Sequence, residues 1–347
     1  MKLTQRLDGA ARSLPPAYFA LVMAAGIVAI ACQLKGWTGI AWGLYVLASV
    51  SYVALWSFTL WRGCRFLKEL ARDFSDHCVA PGFFTMVAAT AIMGSQLVIV
   101  DRRPEVAAVF WCLTVLLAIG LTYPIFTALI IRENKPPIEK GLNGAWLVVV
   151  VAWQSISVLG GLLAPLFESQ RETLLLASLL TWLVGGMFYL WIISLIFYRY
   201  MFFSFQPQDL TPPYWINMGA VAISTLAGVG LVRNAPRNAL LADLIAFLKG
   251  GTLMFWATAT WWIPMLLLLG YWRHVTKKFP LTYSPLYWGA VFPLGMYTVC
   301  TYRLGQVTHL APLLSLSEYF IYPALAAWSL TFFGMLRALV RGLCRTA

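Results

Sequence analysis

The sequence YSPLYWGAVFPLGMYTVCTYR, residues 283–303, opens with a proline and aromatic residues and continues as an apolar run with no charge before Arg303. Four earlier stretches open in a similar way and lead into similar runs. Successive openings are 65, 62, 69 and 73 residues apart, at Pro16, Pro81, Asn143, Pro212 and Pro285. Such self-similarity is typical of one structural unit used several times. Each unit is long enough for two membrane crossings, so the pattern predicts five helical hairpins.

The composition indicates an integral membrane protein. Hydrophobic residues make up 61% of the 347 residues and charged residues 11%. The charges cluster between apolar runs of about 20 residues, the length that a helix needs to cross a bilayer. We therefore predict an all-α membrane protein that forms a single transmembrane domain over residues 1–347, with its core at about 15–340. The ten predicted spans are 15–34, 39–61, 79–100, 106–131, 142–166, 173–198, 214–232, one within 244–271, 283–303 and 318–339.

The distribution of basic residues predicts the orientation. An even number of spans puts both termini on one side of the membrane. Of the 25 lysines and arginines, 17 fall on the side of the termini and 8 on the other side. Short cytoplasmic loops carry the excess of basic residues in membrane proteins. We expect a multi-pass protein of the inner (plasma) membrane with both termini in the cytoplasm.

The repeat separates odd-numbered spans from even-numbered ones and favours a concave lining that the odd spans share around a pseudo-fivefold axis. Small residues occupy four of the five eleventh positions of the repeat, which suggests a concave pore lining. The alternative is close packing between helices through small residues. Pro293 is expected to kink the ninth span. The candidates for the pore lining or kink are Gly26, Ala91, Trp153, Ala222, Pro293 and Gly295.

The middles of the odd spans contain no charged residue. Proton-coupled carriers commonly place Asp, Glu or His at this depth, so the sequence shows no proton relay. The polar pore candidates are Gln96, Gln154, Asn217 and Thr298, although each could instead hydrogen-bond between helices. Arg303, at the outer end of the ninth span, is a candidate for an anion-attracting vestibule.

Other classes of protein find little support in the sequence. It contains no H-E-x-x-H, G-x-S-x-G or P-loop motif, so we predict no enzyme activity. Its six cysteines are isolated, which indicates neither a metal site nor a disulfide framework. We expect no cofactor. The net charge of +12 is spread over short loops, which favours membrane orientation over nucleic-acid binding.

Three features together carry a family resemblance: the five-hairpin pattern with its proline-aromatic openings, the segment PPYWINMGA at 212–220, and YWGAVFPLG at 287–295. With them the chain resembles the tellurite-resistance/dicarboxylate transporter family. That family includes TehA-like bacterial proteins, malate and sulfite permeases of the yeast type, and the slow anion channel of plant guard cells. The resemblance covers about residues 15–340 and is strongest to the bacterial branch.

The resemblance implies a homotrimer in the lipid bilayer, with one pore for small inorganic or organic anions in each protomer. It implies that the odd-numbered helices line this central pore and that the even-numbered helices lie outside. It also implies that a phenylalanine of the ninth span occludes the pore, and the FPLG match assigns this role to Phe292. Ordinary core packing is the alternative for Phe292. A proton-coupled C4-dicarboxylate carrier, a sulfite- or tellurite-related carrier, and a non-transporting scaffold or sensor remain alternative functions. The fifth span departs from the pattern, because it opens with Asn143 and has Trp153 where the other spans have small residues.

Overall fold

The computed structural model describes residues 3–344 of the chain. Lys2, Arg345 and the side chain of Arg6, which count among the basic residues used for orientation, lie outside the described part. All regular secondary structure in residues 3–344 is helical. The helices are numbered α1 to α14 in chain order, and the all-α fold predicted from the sequence is confirmed.

Five helices, which we call the inner helices, begin at the proline-aromatic openings of the repeat. Each opening forms a 3-10 turn that leads directly into its helix. Proline suits such a start, because its ring fixes φ and the first turn needs no N–H donor. The turns are Pro16–Phe19, Ala80–Phe83, Gly144–Leu147, Pro212–Trp215 and Pro285–Tyr287. The inner helices are α2 (Ala20–Leu34), α5 (Phe84–Ile99), α8 (Val148–Leu163), α10 (Ile216–Asn234) and α13 (Trp288–Thr308).

The other five long helices, which we call the outer helices, each follow an inner helix and pack against it as a hairpin. They are α3 (Thr38–Arg65), α6 (Pro104–Ile131), α9 (Arg171–Phe202), α12 (Ile245–Tyr271) and α14 (Ala311–Cys344). Short helices occupy the ends and connections: α1 (Leu3–Arg12), α4 (Leu67–Phe74), α7 (Ile138–Gly141) and α11 (Ala239–Asp243).

The inner helices form a closed ring. Each packs against the next in the order α2, α5, α8, α10 and α13, and α13 packs back against α2. The five 3-10 turns touch one another in the same cyclic order. We call the end of the bundle where these turns lie the terminal face, and the opposite end the distal face. The predicted pseudo-fivefold arrangement of hairpins is confirmed.

The inner and outer helices differ in how much of their apolar surface is buried. The apolar windows of α2, α5, α8 and α10 are 78–89% buried, whereas those of the outer helices are only 11–33% buried. The outer helices therefore present their apolar side chains to lipid. Within residues 3–344, nine helices are long and apolar enough to cross a membrane. The tenth long helix, α13, has 21 residues and a more polar sequence. Most of its side chains contact other helices instead of lipid, so a less apolar sequence is tolerated.

Arginines at the ends of outer helices hold the terminal face together. In three hairpins this arginine donates a hydrogen bond to a backbone carbonyl just ahead of the inner helix: Arg62 to Leu14, Arg132 to Ser75 and Arg199 to Leu142. Arg62 and Arg199 are only 5% and 4% exposed. A charged donor to a carbonyl makes a strong hydrogen bond. Some of the basic residues counted for orientation therefore also stabilise the hairpins.

Candidate functional site

A cavity of about 330 Å³ lies inside the ring of inner helices. All its lining residues belong to the five inner helices or the turns that follow them. Two complete levels of the wall take one residue from each inner helix. The first level consists of Ile27, Ile92, Ser155, Ile223 and Met296, and the second consists of Ile30, Ser95, Val158, Leu226 and Val299. The cavity therefore follows the pseudo-fivefold axis.

The cavity wall changes from apolar to basic toward the distal face. Three arginines line this end: Arg233, Arg237 and Arg303. Arg303 is half-buried and donates to Gln306 Oε1 at 3.0 Å, while Arg233 and Arg237 are exposed. None of the three forms an ion pair with a carboxylate in the described part of the chain. An unpaired positive cluster at a cavity mouth raises the local concentration of anions.

The other end of the cavity stops at the level of Met296. Phe292 lies four residues earlier on α13, on the same helix face and about one turn closer to the terminal face. Its side chain is only 1% exposed. The corresponding residues of the other inner helices are smaller: Met23, Ala88, Val151 and Gly219. Phe292 therefore lies one helix turn beyond the floor of the cavity and is the largest of the five residues at its level of the repeat.

Several residues expected to line the pore lie in contacts between inner helices instead. A Cβ atom on Gly26 would be 2.5 Å from Ile92 Cγ2, and a Cβ on Gly295 would be 2.8 Å from Ile27 Cγ2. Pro293 packs against Gly219 in the same way. These small residues let neighbouring backbones approach closely, which is the packing alternative stated above. Of the eleventh positions, Ala91 lies on the cavity wall, whereas Ala222 is fully buried away from it.

The register of the fifth predicted span explains part of the difference between the predicted and the observed cavity lining. Asn143 does not begin the helical unit but caps it, because its side chain accepts a hydrogen bond from the N–H of Ala145. The 3-10 turn starts at Gly144, so the repeat in this span is displaced by one residue. One residue rotates a helix face by about 100°. Trp153 consequently points outward, with its Nε1 3.2 Å from Thr122 Oγ1 on α6.

The predicted polar pore residues also lie away from the cavity wall. Gln154 Nε2 donates to the Trp182 carbonyl at 3.0 Å, and Asn217 Nδ2 donates to the Tyr200 hydroxyl at 3.2 Å. Thr298 donates to the Leu294 carbonyl of its own helix at 3.0 Å. Gln96 is fully buried against Gly26, and its amide atoms have no protein partner within the described residues. None of these four side chains lies on the cavity wall.

The polar groups that do line the cavity are Ser95 and Ser155, together with the distal arginines and Asn234. The sequence contains a signal for the two serines. They lie at the same levels of the repeat as Val299 and Met296 once the fifth span is counted from Gly144. Both hydroxyls donate to carbonyls of their own helices, Ser95 to Ala91 and Ser155 to Val151, so their lone pairs remain available. Sequence reasoning singled out Arg303 but not Arg233 or Arg237.

Comparison with known proteins agrees with this architecture. Two uncharacterized transporters of Methanocaldococcus jannaschii are 22% and 23% identical over 300 and 302 residues, 84% of this chain and 84% of theirs. An uncharacterized membrane protein of Mycobacterium tuberculosis is 42% identical over 155 residues, 44% of this chain and 77% of that protein. The model of the voltage-dependent anion channel (SLAC1) family matches residues 13–336. The resemblance inferred from the sequence is thereby confirmed, and the chain belongs to the voltage-dependent anion channel family of membrane transport proteins.

Proposed function

We propose that this protein conducts small anions passively along the axis of the inner helix ring and that Phe292 closes the path. The proposal depends on the relation of two features: a basic mouth at the distal end of the cavity, and the buried Phe292 one helix turn beyond its other end. Arg233, Arg237 and Arg303 attract anions to the distal end. Phe292 then separates the cavity from the terminal face.

The lining of the cavity supports conduction over proton-coupled transport. The described residues that form its wall include no Asp, Glu or His. A dicarboxylate carrier driven by protons needs a group that binds and releases a proton near the substrate. The cavity wall is instead mostly apolar, and the hydroxyls of Ser95 and Ser155 already donate to their own helices. Such a wall holds an anion only weakly, which favours passage over tight binding.

The proposed setting is the plasma membrane, with the terminal face in the cytoplasm. The excess of basic residues on that face supports this orientation. The cavity then opens to the outside and the Phe292 level lies on the cytoplasmic side of it. A trimeric assembly, which the family resemblance implies, belongs to the same proposal.

The test measures currents through the purified protein in planar bilayers with unequal chloride concentrations on the two sides. We expect Phe292→Ala to raise the conductance and the reversal potential to follow the chloride gradient. Phe84→Ala is the matched control, because Phe84 is a buried phenylalanine of α5 whose ring faces Phe126 on α6. A reversal potential that follows the cation gradient contradicts anion conduction. The absence of current in both wild type and Phe292→Ala supports a scaffold or sensor instead.

A further inference from the structure

A second polar pocket lies on the terminal face, at the opposite end of the bundle from the arginine-lined mouth. Its volume is about 500 Å³, and it shares no lining residue with the central cavity. Two connections form its walls. One is residues 76–78, just ahead of the turn Ala80–Phe83, and the other is residues 132–140 between α6 and α8.

The pocket carries more positive than negative groups. Arg132, Lys135 and Lys140 line it together with Asp76 and Glu133. Within the described residues, none of the three cations forms an ion pair with a carboxylate. The Asp76 carboxylate is already engaged, since it accepts hydrogen bonds from the backbone N–H groups of Cys78 and Val79 at 2.8 and 3.2 Å. The pocket therefore brings three cations and two carboxylates together on a concave surface, with a net excess of positive charge.

Two of these cations are free to bind a ligand. Arg132 donates to the Ser75 carbonyl, which fixes one edge of its guanidinium and leaves other N–H donors. Lys135 and Lys140 make no side-chain hydrogen bond in the described part of the chain, and their ammonium groups each offer three donors. A fixed guanidinium beside two mobile ammonium groups is a suitable donor set for a tetrahedral dianion with several acceptor oxygens.

His77 lines the same pocket and can report on a bound ligand. Its ring lies 6.3 Å from the Trp146 ring, and its Nδ1 atom is buried without a hydrogen-bond partner within the described residues. A dianion bound in the pocket would favour the protonated form of this ring. Metal binding does not explain the cluster, because no group of three or more His, Cys, Asp or Glu in the described chain has the geometry to hold a metal ion.

We propose that this pocket is a binding site for a phosphomonoester, held by Arg132, Lys135 and Lys140. The phosphate group can belong to a soluble metabolite or to the headgroup of an anionic lipid, because the pocket lies at the end of the bundle where the chain meets the membrane surface. A bound phosphate would contact residues 76–78, which lead into one of the five turns that close the ring at this face. The site is therefore placed to influence the position of α5.

The experiment uses the full-length protein and two probes that carry the same phosphate chemistry. Glycerol 3-phosphate binding is measured by calorimetry in detergent. Phosphatidic acid binding is measured by native mass spectrometry of protein from phosphatidylcholine nanodiscs that contain it. Lys135→Gln combined with Lys140→Gln removes two charged donors from exposed positions. Because each donor contacts a charged group, we expect affinity to fall by about tenfold or more.

The matched control is Lys277→Gln combined with Lys278→Gln, an exposed basic pair on the same face and outside the pocket. Affinity of this control should equal that of the wild type. Binding of glycerol 3-phosphate alone assigns the site to soluble ligands, and binding of phosphatidic acid alone assigns it to lipid. Binding of both assigns recognition to the phosphate group itself. The proposal is overturned if neither probe binds, or if the two double variants lose affinity equally.

Discussion

Pro293 packs so closely against Gly219 that a Cβ atom added to Gly219 would lie 2.7 Å from Pro293 Cγ. This contact joins α13 to α10 directly beside Phe292. Proline lacks an N–H and interrupts the hydrogen bonding of a helix, which leaves the carbonyl one turn earlier without its usual donor. The contact therefore holds this part of α13 against its neighbour.

Gly219→Ala should destabilise the protein, because the new methyl group has no room beside Pro293. Overpacking of this kind costs about 1–3 kcal/mol in protein cores. The cost should be smaller in a Pro293→Ala background, since the closest atom, Cγ, is then absent. Thermal unfolding of the two single variants and the double variant in detergent measures the coupling. Gly230→Ala is the control, because an added Cβ there has no contact within 4 Å. Equal effects of Gly219→Ala in both backgrounds contradict the assignment.

A series of substitutions at Phe292 should change conductance in the order of side-chain size. We expect Phe292→Leu to conduct more than wild type and less than Phe292→Ala, because each smaller side chain leaves a wider path at the level of Gly219 and Ala88. A plug that closes an empty path should lose little stability on truncation, whereas a packed core phenylalanine loses about 3–5 kcal/mol. Single-channel currents and melting temperatures measure both quantities. A large drop in melting temperature without added current would assign Phe292 to the core.

Cysteine labelling should distinguish adjacent residues on α10. Ile223 lines the cavity, whereas Ala222 is fully buried away from it. In a background in which Cys64, Cys78, Cys112 and Cys344 are replaced by serine, we expect a charged thiosulfonate added from the distal side to modify Ile223→Cys and not Ala222→Cys. Mass spectrometry of the intact protein counts the adducts. Faster labelling at position 222 contradicts the helix register described above.

Arg303→Gln should lower anion conductance at low ionic strength. The half-buried Arg303 contributes positive potential to the cavity mouth. Salt screens this potential over a Debye length of about 30 Å at 0.01 M and about 3 Å at 1 M. The difference from wild type should therefore shrink as the salt concentration rises. Lys249→Gln serves as the control, since Lys249 is exposed at the distal end of α12 and does not line the cavity. A loss of conductance that is independent of salt argues against an electrostatic role.

His77 should titrate below its ordinary pKa of 6.5. Burial lowers its pKa first, and the charges of Arg132 and Lys135 lower it further, although Asp76 acts in the opposite direction. The unfolded chain then takes up this proton at a higher pH than the folded chain. The contribution of His77 to stability is therefore complete above about pH 6.5 and declines as the pH falls toward the lower folded pKa.

NMR of protein with ¹³C-labelled histidine can measure this titration, because the chain has only three histidines and His77→Gln identifies the signal. Glycerol 3-phosphate should move the titration midpoint upward, since a nearby dianion favours the protonated ring. A midpoint at or above the ordinary value without ligand contradicts the burial described for His77. A midpoint that the probe leaves unchanged contradicts its contact with a bound phosphate.

The sequence by itself determined the number and order of the long helices and their pairing into hairpins. Apolar runs of membrane length separated by short charged loops leave few alternatives, since every backbone group must find its hydrogen bond inside the bilayer. The proline-aromatic openings likewise marked the starts of the inner helices, because proline is favourable only in the first turn. Both signals depend on residues that are close together in the sequence, so they can be recognised without the three-dimensional structure.

Only the tertiary structure decided which side of each inner helix faces the axis. The inner helices are apolar on nearly all sides, so their sequences contain no strong signal for one face. A displacement of one residue, as at Asn143 and Gly144, then puts Trp153 instead of Gln154 at the eleventh position of the repeat, whereas the residue that lines the cavity is Ser155. Closure of the five-helix ring fixes this rotation, since small residues such as Gly26 and Gly295 must meet their neighbours. The pocket around Lys135 and Lys140 also depends on tertiary structure, because its two walls come from connections more than 50 residues apart in the chain.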